Sequence, residues 1–384
     1  MKRSIPYGRQ WIEEEDLRAV MEVLQSDWMT QGPTVAEFER AFADFCGARH
    51  AVAVANGTAA LHLAALAAGF ESGNEVITSP ITFAASANCI LYAGAKPVFA
   101  DIDPQTRCLS EETVRAVLSE QSRGLIPVHF AGHPCPMPAL HRMAKERGLV
   151  VIEDAAHALG SSYVHEERRF SVGSCAHSDL AIFSFHPVKH ITTGEGGMIT
   201  TNDEELFRKL LLLRSHGITR DPDFLERNEG PWYYEMQALG FNYRITDFQC
   251  ALGLSQLKRA EVLAARRAAI VARYQEAFSA FPGLEVPGIA PWADPSFHLY
   301  VVGVKGERRR IFQALREQGL GVNVHYLPVY LHPFYRKLGY QPGCCPAAED
   351  YYSGAITLPL FPRMSDEEVD YVIGAVREVL ERET

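Results

Sequence analysis

Between residues 35 and 201 the chain alternates short apolar runs with stretches of helical period, which restricts the fold more than any other feature. The runs fall at 51–55 (AVAVA), 75–79, 97–101, 124–128, 150–153, 179–185 and 197–201. Between the earlier ones lie helix-period segments at 58–68, 86–93, 111–119 and 138–147. Runs apolar on both faces and separated by helices describe strands of a mainly parallel sheet covered on both sides. The fold class is therefore α/β. No fixed-period repeat is present, which excludes a solenoid.

The pattern changes near Thr246. Helical period continues from there to about 281, with Leu252, Leu254, Leu257, Val262, Leu263 and Ile270 among its apolar positions. A run longer than ~25 residues is expected to kink or break into two helices. Beyond it the sequence suggests a strand at 298–304, a helix at 307–318, a strand at 321–325 and a last helix opened by the capping box Ser365-Asp-Glu-Glu. The Pro- and Gly-rich stretch 282–295 reads as loop. We expect a large domain at 15–250, a smaller α+β domain at 251–384, and a segment 1–14 packed near the active site.

Composition works by exclusion. The 37 Lys+Arg against 47 Asp+Glu leave a net charge of −10. That balance disfavours a nucleic-acid or anionic-membrane partner, since such affinity is built from clustered Lys and Arg. It leaves room for a small anion in one electropositive pocket. No run reaches the ~18 apolar residues of a membrane span, and the basic start Met1-Lys-Arg-Ser lacks the apolar stretch of a signal peptide. Eight scattered cysteines form neither CxxC nor a zinc spacing. A cytoplasmic protein with no bound metal is expected.

In an open α/β sheet, ligands bind beyond the carboxyl ends of the strands. After AVAVA comes Asn56-Gly57-Thr58, where a tight turn opens a helix whose free N–H groups suit a phosphate; a plain capped turn fits equally. Glu153 and Asp154 close a buried run. There Asp154 meets either a ligand cation or a Lys or Arg. Ser184 ends the next run, and Lys189 follows on a loop leading to Gly194-Glu-Gly-Gly197. Lys189 is either a surface charge or, near a buried site, an amine able to form a Schiff base. His186 and His190 read as positioning or packing residues. Phe83 either stacks on a planar ligand or joins the core.

The order of these signals is distinctive. NGT, TFAAS, EDAAH, FSFHPVKHITTGEGG and GFNYRITDFQCALGLSQLK follow one another in a way that resembles the DegT/DnrJ/EryC1/StrS family of sugar aminotransferases. The resemblance implies the fold type I of PLP-dependent transferases. That fold has a large domain with a mixed, mostly parallel sheet, a small C-terminal α+β domain, and a homodimer with shared active sites. It implies pyridoxal 5'-phosphate as cofactor, with Lys189 forming its Schiff base and then shuttling a proton, and Asp154 facing the pyridine nitrogen. Asn56, Gly57, Thr58 and Ser184 match the phosphate-binding region, and Asn242 an Asn reaching the phosphate from the partner subunit. Phe83 matches the stacked aromatic, and His157 stands where the family often has Gln beside the ring oxygen. Lys189, where dehydrating relatives have His, favours transamination.

The stretch 322–335, with Asp27-Trp-Met-Thr-Gln-Gly32 and Tyr7, looks like the subgroup that makes pseudaminic acid precursors. By that likeness Tyr7, Met29, Thr30, Asn242, His325 and Tyr326 line the sugar pocket. The implied reaction moves an amino group from an amino acid, L-glutamate first, to C4 of a UDP-linked 4-keto-6-deoxy-N-acetylhexosamine. A GDP- or dTDP-linked 4-keto or 3-keto deoxyhexose as acceptor, and a non-catalytic sensor on the PLP fold, remain as alternatives.

Overall fold

The computed structural model describes residues 4–383. Met1–Arg3, within the expected 1–14 segment, and Thr384 lie outside the described residues. The large sheet contains His50–Val54, Glu75–Thr78, Lys96–Phe99, Ser122–Ile126, Val150–Asp154, Leu180–Ser184 and Gly197–Thr201. In space these run 50–54, 197–201, 180–184, 150–154, 122–126, 75–78, 96–99. Only Gly197–Thr201 is antiparallel to its neighbours, so the sheet is mixed and mostly parallel, as expected.

Period-2 alternation divides each strand between two apolar layers. Val52, Val54, Ile152, Leu180, Ile182 and Ile199 face the Ala-rich helix Gly57–Ala67. Ala51, Ala53, Val151, Ala181, Phe183 and Met198 face the opposite layer, which holds Phe38 and Phe42 of the helix Pro33–Cys46.

The long helical run breaks, as its length requires, into Asp247–Leu257 and Ala260–Phe278, with Arg259 at the non-helical joint. Ala260–Phe278, Arg308–Glu317 and Asp366–Glu383 cover a small sheet of Leu284–Glu285, Tyr300–Val304 and Ala355–Leu358. The Ser365–Glu368 capping box is present, with bonds of 2.9 and 3.2 Å.

The stretch 321–325 does not join this ladder. Asn323 exchanges backbone bonds with Thr357 alone, at 3.2 and 2.7 Å, while Gly321 N–H donates to Ile5 O at 2.6 Å. The N-terminal segment takes the pairing that a strand would need, and Ile5 enters the small core. In the other direction, Val329, Tyr330, Tyr335, Cys345 and Ala348 leave the C-terminal region and pack with Phe99 in the large core. Val329 N–H bonds Pro80 O at 2.9 Å, and Tyr335 OH bonds Asn88 Oδ1 at 2.7 Å.

Helix Glu14–Leu24 is tied down by Asp16, which is wholly buried. Its Oδ2 accepts from Gln256 Nε2 at 2.6 Å and from Arg259 Nη2 at 2.8 Å. Removing one member of a buried pair leaves a costly charge. Arg259→Ala is expected to destabilise the apoprotein by about 3 kcal/mol, read as a lower urea midpoint; an unchanged midpoint refutes this account.

Candidate active site

The sheet register gathers the expected residues at one edge. Gly197 pairs with Val54 on one side and Ser184 on the other, which brings the turn after 50–54 beside the end of 180–184. Asn56 caps the helix, its Oδ1 accepting from Ala59 N–H at 2.8 Å, so its side chain is engaged locally. A Cβ on Gly57 would lie 2.9 Å from Ser184 Cβ, so glycine is needed for this approach. Gly57 and Thr58 open an eleven-residue helix beside the Ser184 hydroxyl, and the free N–H groups there form a cradle for a phosphate.

One strand further in, Glu153 and Asp154 point to opposite faces. Glu153 is consumed by His129 Nε2 at 2.8 Å and by the Ser178 hydroxyl. His129 Nδ1 accepts from Cys135 N–H at 2.9 Å, so the neutral ring carries its proton on Nε2, toward Glu153. Asp154 faces the site. Its Oδ2 accepts from Ser86 Oγ at 2.6 Å and its Oδ1 from Ala156 N–H at 3.1 Å. Burial raises the Asp154 carboxyl above its ordinary range, opposed by Ser86, Ala156 and the positive charge of Lys189.

Lys189 is half-buried, on the loop after 180–184. Its Nζ lies 3.5 Å from His298 Nε2. Burial pulls the ammonium down to about 8, Asp154 pulls it up, and the Arg267 guanidinium lowers it again. The amine is thus poised near neutrality, which a surface lysine is not.

Aromatic rings complete the pocket. His157 Nε2 lies 3.3 Å from Tyr326 OH, and the His157 and His298 rings are 4.4 Å apart. Tyr326 sits 6.5 Å from Phe83 and 6.3 Å from Phe130. Tyr7 lies 5.6 Å from His325, whose Nδ1 meets Thr357 Oγ1 at 2.8 Å. Burial and the Lys189 charge press His325 to about 4, and burial with Lys189, His325 and His190 holds His157 well below its usual range.

These residues fit pyridoxal phosphate. The cradle at Gly57 admits no Cβ; Phe83 is 63% exposed although Ile81, Thr82 and Ala85 around it are buried; and Nδ1 of both His157 and His298 is buried without a partner. Asn242 is exposed, its backbone paired with Ser215, and Tyr243 beside it accepts from Ala55 N–H at 2.8 Å, just before the cradle turn. Met29 and Thr30 are also exposed, held beside Thr246 and Asp247. Among the described residues no hydrogen bond or ring contact joins any of these three to Lys189. Three residues not singled out from the sequence stand in the site: Ser86, already within TFAAS, His298, and the buried Arg267. Their partners lie 68, 109 and 78 positions away, beyond the reach of any spacing argument. Among the described residues no group of three or more His, Cys, Asp or Glu could hold a metal.

The model of the DegT/DnrJ/EryC1/StrS aminotransferase family matches residues 10–377. The chain is 42% identical to the spore coat polysaccharide biosynthesis protein SpsC of Bacillus subtilis over 383 residues, covering 98% of this chain and 97% of SpsC. It superposes on Helicobacter pylori PseC, an aminotransferase involved in the biosynthesis of pseudoaminic acid, with TM-score 0.90 and 32% identity, covering 99% of this chain and 100% of PseC. The putative sugar aminotransferase Spr1654 of Streptococcus pneumoniae, in its PMP form, gives TM-score 0.92 and 33% identity over 99% and 100% of the two chains.

The cradle makes its own prediction. Gly57→Ala pushes Ser184 aside and is expected to weaken pyridoxal phosphate binding at least tenfold. The pH midpoint for acetylation of Lys189 in the apoprotein should stay near 8. Equilibrium dialysis and peptide mass spectrometry read the two; undiminished cofactor affinity would sink the cradle assignment.

Proposed function

The chain belongs to the DegT/DnrJ/EryC1/StrS aminotransferase family, and from that premise we propose that its acceptor is a UDP-linked 4-keto-6-deoxy-N-acetylhexosamine, aminated at C4. The enzyme is a sugar aminotransferase and depends on pyridoxal phosphate. The observation that carries the finer reading is the position of Tyr7, His325 and Tyr326 over the same pocket as Lys189. The overall likeness to PseC supports it.

When bound, pyridoxal phosphate supplies an electron-accepting ring and a carbon that can carry an amino group. We assign Ser184, Gly57 and Thr58 to hold its phosphate, with Asn56 shaping the turn and Asn242 supplied by a second copy of the chain. Asp154 would keep the ring nitrogen of the bound cofactor protonated. A carboxylate held in a dry site by Ser86 and Ala156 N–H can do this because a cation beside it restores its ionised form. Phe83 would cover the ring and His157 would bond its oxygen. Lys189 would hold the cofactor and move a proton at Nζ; a value near 8 lets it both accept and give that proton near neutral pH. Tyr7, His325 and Tyr326, with Met29, Thr30 and Asn242 at a homodimer interface, receive the nucleotide sugar. We place the working enzyme in the cytoplasm, where its eight free cysteines stay reduced. Its domains divide at about 250.

The 42% identity to SpsC favours a second acceptor, a keto sugar used in a surface polysaccharide. Product masses decide. With glutamate and a panel of UDP-, GDP- and dTDP-linked keto sugars, turnover confined to the UDP-acetamido 4-keto sugar supports the first reading. Turnover confined to other acceptors overturns it.

Purified enzyme should be yellow, bleach with glutamate, and lose the visible band in Lys189→Ala. A band that persists in that variant refutes the lysine assignment; a wild-type band that glutamate never bleaches turns the reading to a sensor. In the sugar pocket, Tyr7→Phe with His325→Ala is expected to raise KM for the acceptor about tenfold, while bleaching by glutamate is unaffected.

A further inference from the structure

We propose that His298 is the positioning partner of Lys189: a neutral imidazole whose Nε2 accepts a hydrogen bond from Nζ and aims the amine across the pocket. The contact is direct, Nζ to Nε2 at 3.5 Å. It also rests on a frame that holds both residues. Arg267, wholly buried on helix Ala260–Phe278, donates through Nη1 to His298 O at 3.3 Å and Leu360 O at 2.9 Å. Through Nη2 it donates to Lys189 O at 3.4 Å. One planar guanidinium therefore fixes the two backbones relative to each other.

A second tie runs alongside. His190 Nε2 meets Ser296 Oγ at 2.9 Å, and Ser296 N–H donates to Ser161 Oγ at 3.0 Å. The backbone before His298 is also held in an unfavourable form. Phe297 has φ 52°, and Gly132 packs so close that a Cβ there would lie 2.8 Å from Phe297 N and 3.1 Å from His298 N. Strain kept in place by this much packing marks a side chain whose direction matters.

The imidazole must be neutral to accept. The charged and titratable groups facing it are Lys189, His157, His190 and Arg267, and together with burial they hold it well below its usual range. With Nε2 accepting, the neutral ring carries its one proton on Nδ1, a buried atom without a protein partner. An acceptor on Nζ favours the ammonium form and so raises the lysine from where burial and Arg267 would leave it.

The proposal rests on Lys189 as the acting lysine, so its test has a part that needs neither cofactor nor substrate. Competitive acetylation of the apoprotein with acetic anhydride, read by mass spectrometry across pH, reports Lys189 alone. His298→Phe should lower its midpoint by about half a unit to one unit, and His298→Gln, which keeps an acceptor, should restore most of the shift. In the loaded enzyme, His298→Phe should lower kcat at least tenfold while KM for glutamate stays within about twofold, again with partial rescue by Gln. An unchanged midpoint in both variants overturns the proposal, as does an upward shift, which would show a repelling charge on His298. If His298→Phe does not fold, His298→Gln and His298→Asn still separate the outcomes: equal midpoints and equal kcat to wild type in Gln with a lowered midpoint in the shorter Asn support positioning, and wild-type behaviour in Asn refutes it. Loss of the visible band in Lys189→Ala without any His298 effect sinks this inference and leaves the function above standing.

Discussion

Bringing one amine out of water without leaving it alone is the constraint on which the rest of this site depends. Lys189 loses hydration in the pocket and also feels the Arg267 charge, both of which favour its neutral form; Asp154 offsets them. The reverse holds for Asp154, whose burial is offset by Ser86, by Ala156 N–H and by Lys189. Neither group is at its ordinary protonation without the other. The sheet sets their separation: Asp154 ends one strand, pairs in register with Ile182 of the next, and Lys189 follows that strand on a loop.

Neighbouring residues of a strand take opposite fates, as the Glu153–Asp154 pair shows. Both are buried carboxylates, yet Glu153 meets His129 and Ser178 on the far side of the sheet while Asp154 opens on the pocket. One is structural and closed; the other is left open to a cation. A shift of register by one residue would exchange them. The adjacent pairing of Gly197 with both Val54 and Ser184 makes the same point for the phosphate cradle, which depends on register and on the missing Cβ of Gly57.

What could be read from the sequence was what repeats or follows in order. The short apolar runs placed the seven strands of the large sheet to within a residue or two, and the excess length of the helical run foretold a break, found at Arg259. The expected strand at 321–325 failed because only Asn323 pairs with the small sheet, through Thr357, while Gly321 N–H goes to Ile5, more than three hundred residues earlier, a pairing that leaves no local periodicity. Ser86, His298 and Arg267 were hidden for the same reason: each is ordinary in its own segment and acquires a role only through a distant partner. Asn242, Met29 and Thr30 differ again. They are exposed and engage only nearby backbone of their own chain, so no contact within one chain marks them.

The charge of the site follows from these contacts and not from the chain's balance of −10. His157, His190, His298 and His325 surround Lys189, and all are held below their usual range, first by burial and then by the positive charges of the site. Imidazoles that could each carry a proton near neutrality are instead kept as neutral donors and acceptors. Protonating any of them would place a further cation beside Lys189 and Arg267 in a dry pocket, where repulsion is strong. The arrangement therefore confines the proton that titrates near neutral pH to one place, the Nζ of Lys189. An acyclic amine on a flexible stem can reach two neighbouring atoms in turn, which a fixed ring cannot. Rigid neutral rings around one mobile base suit the proton transfer proposed for Lys189.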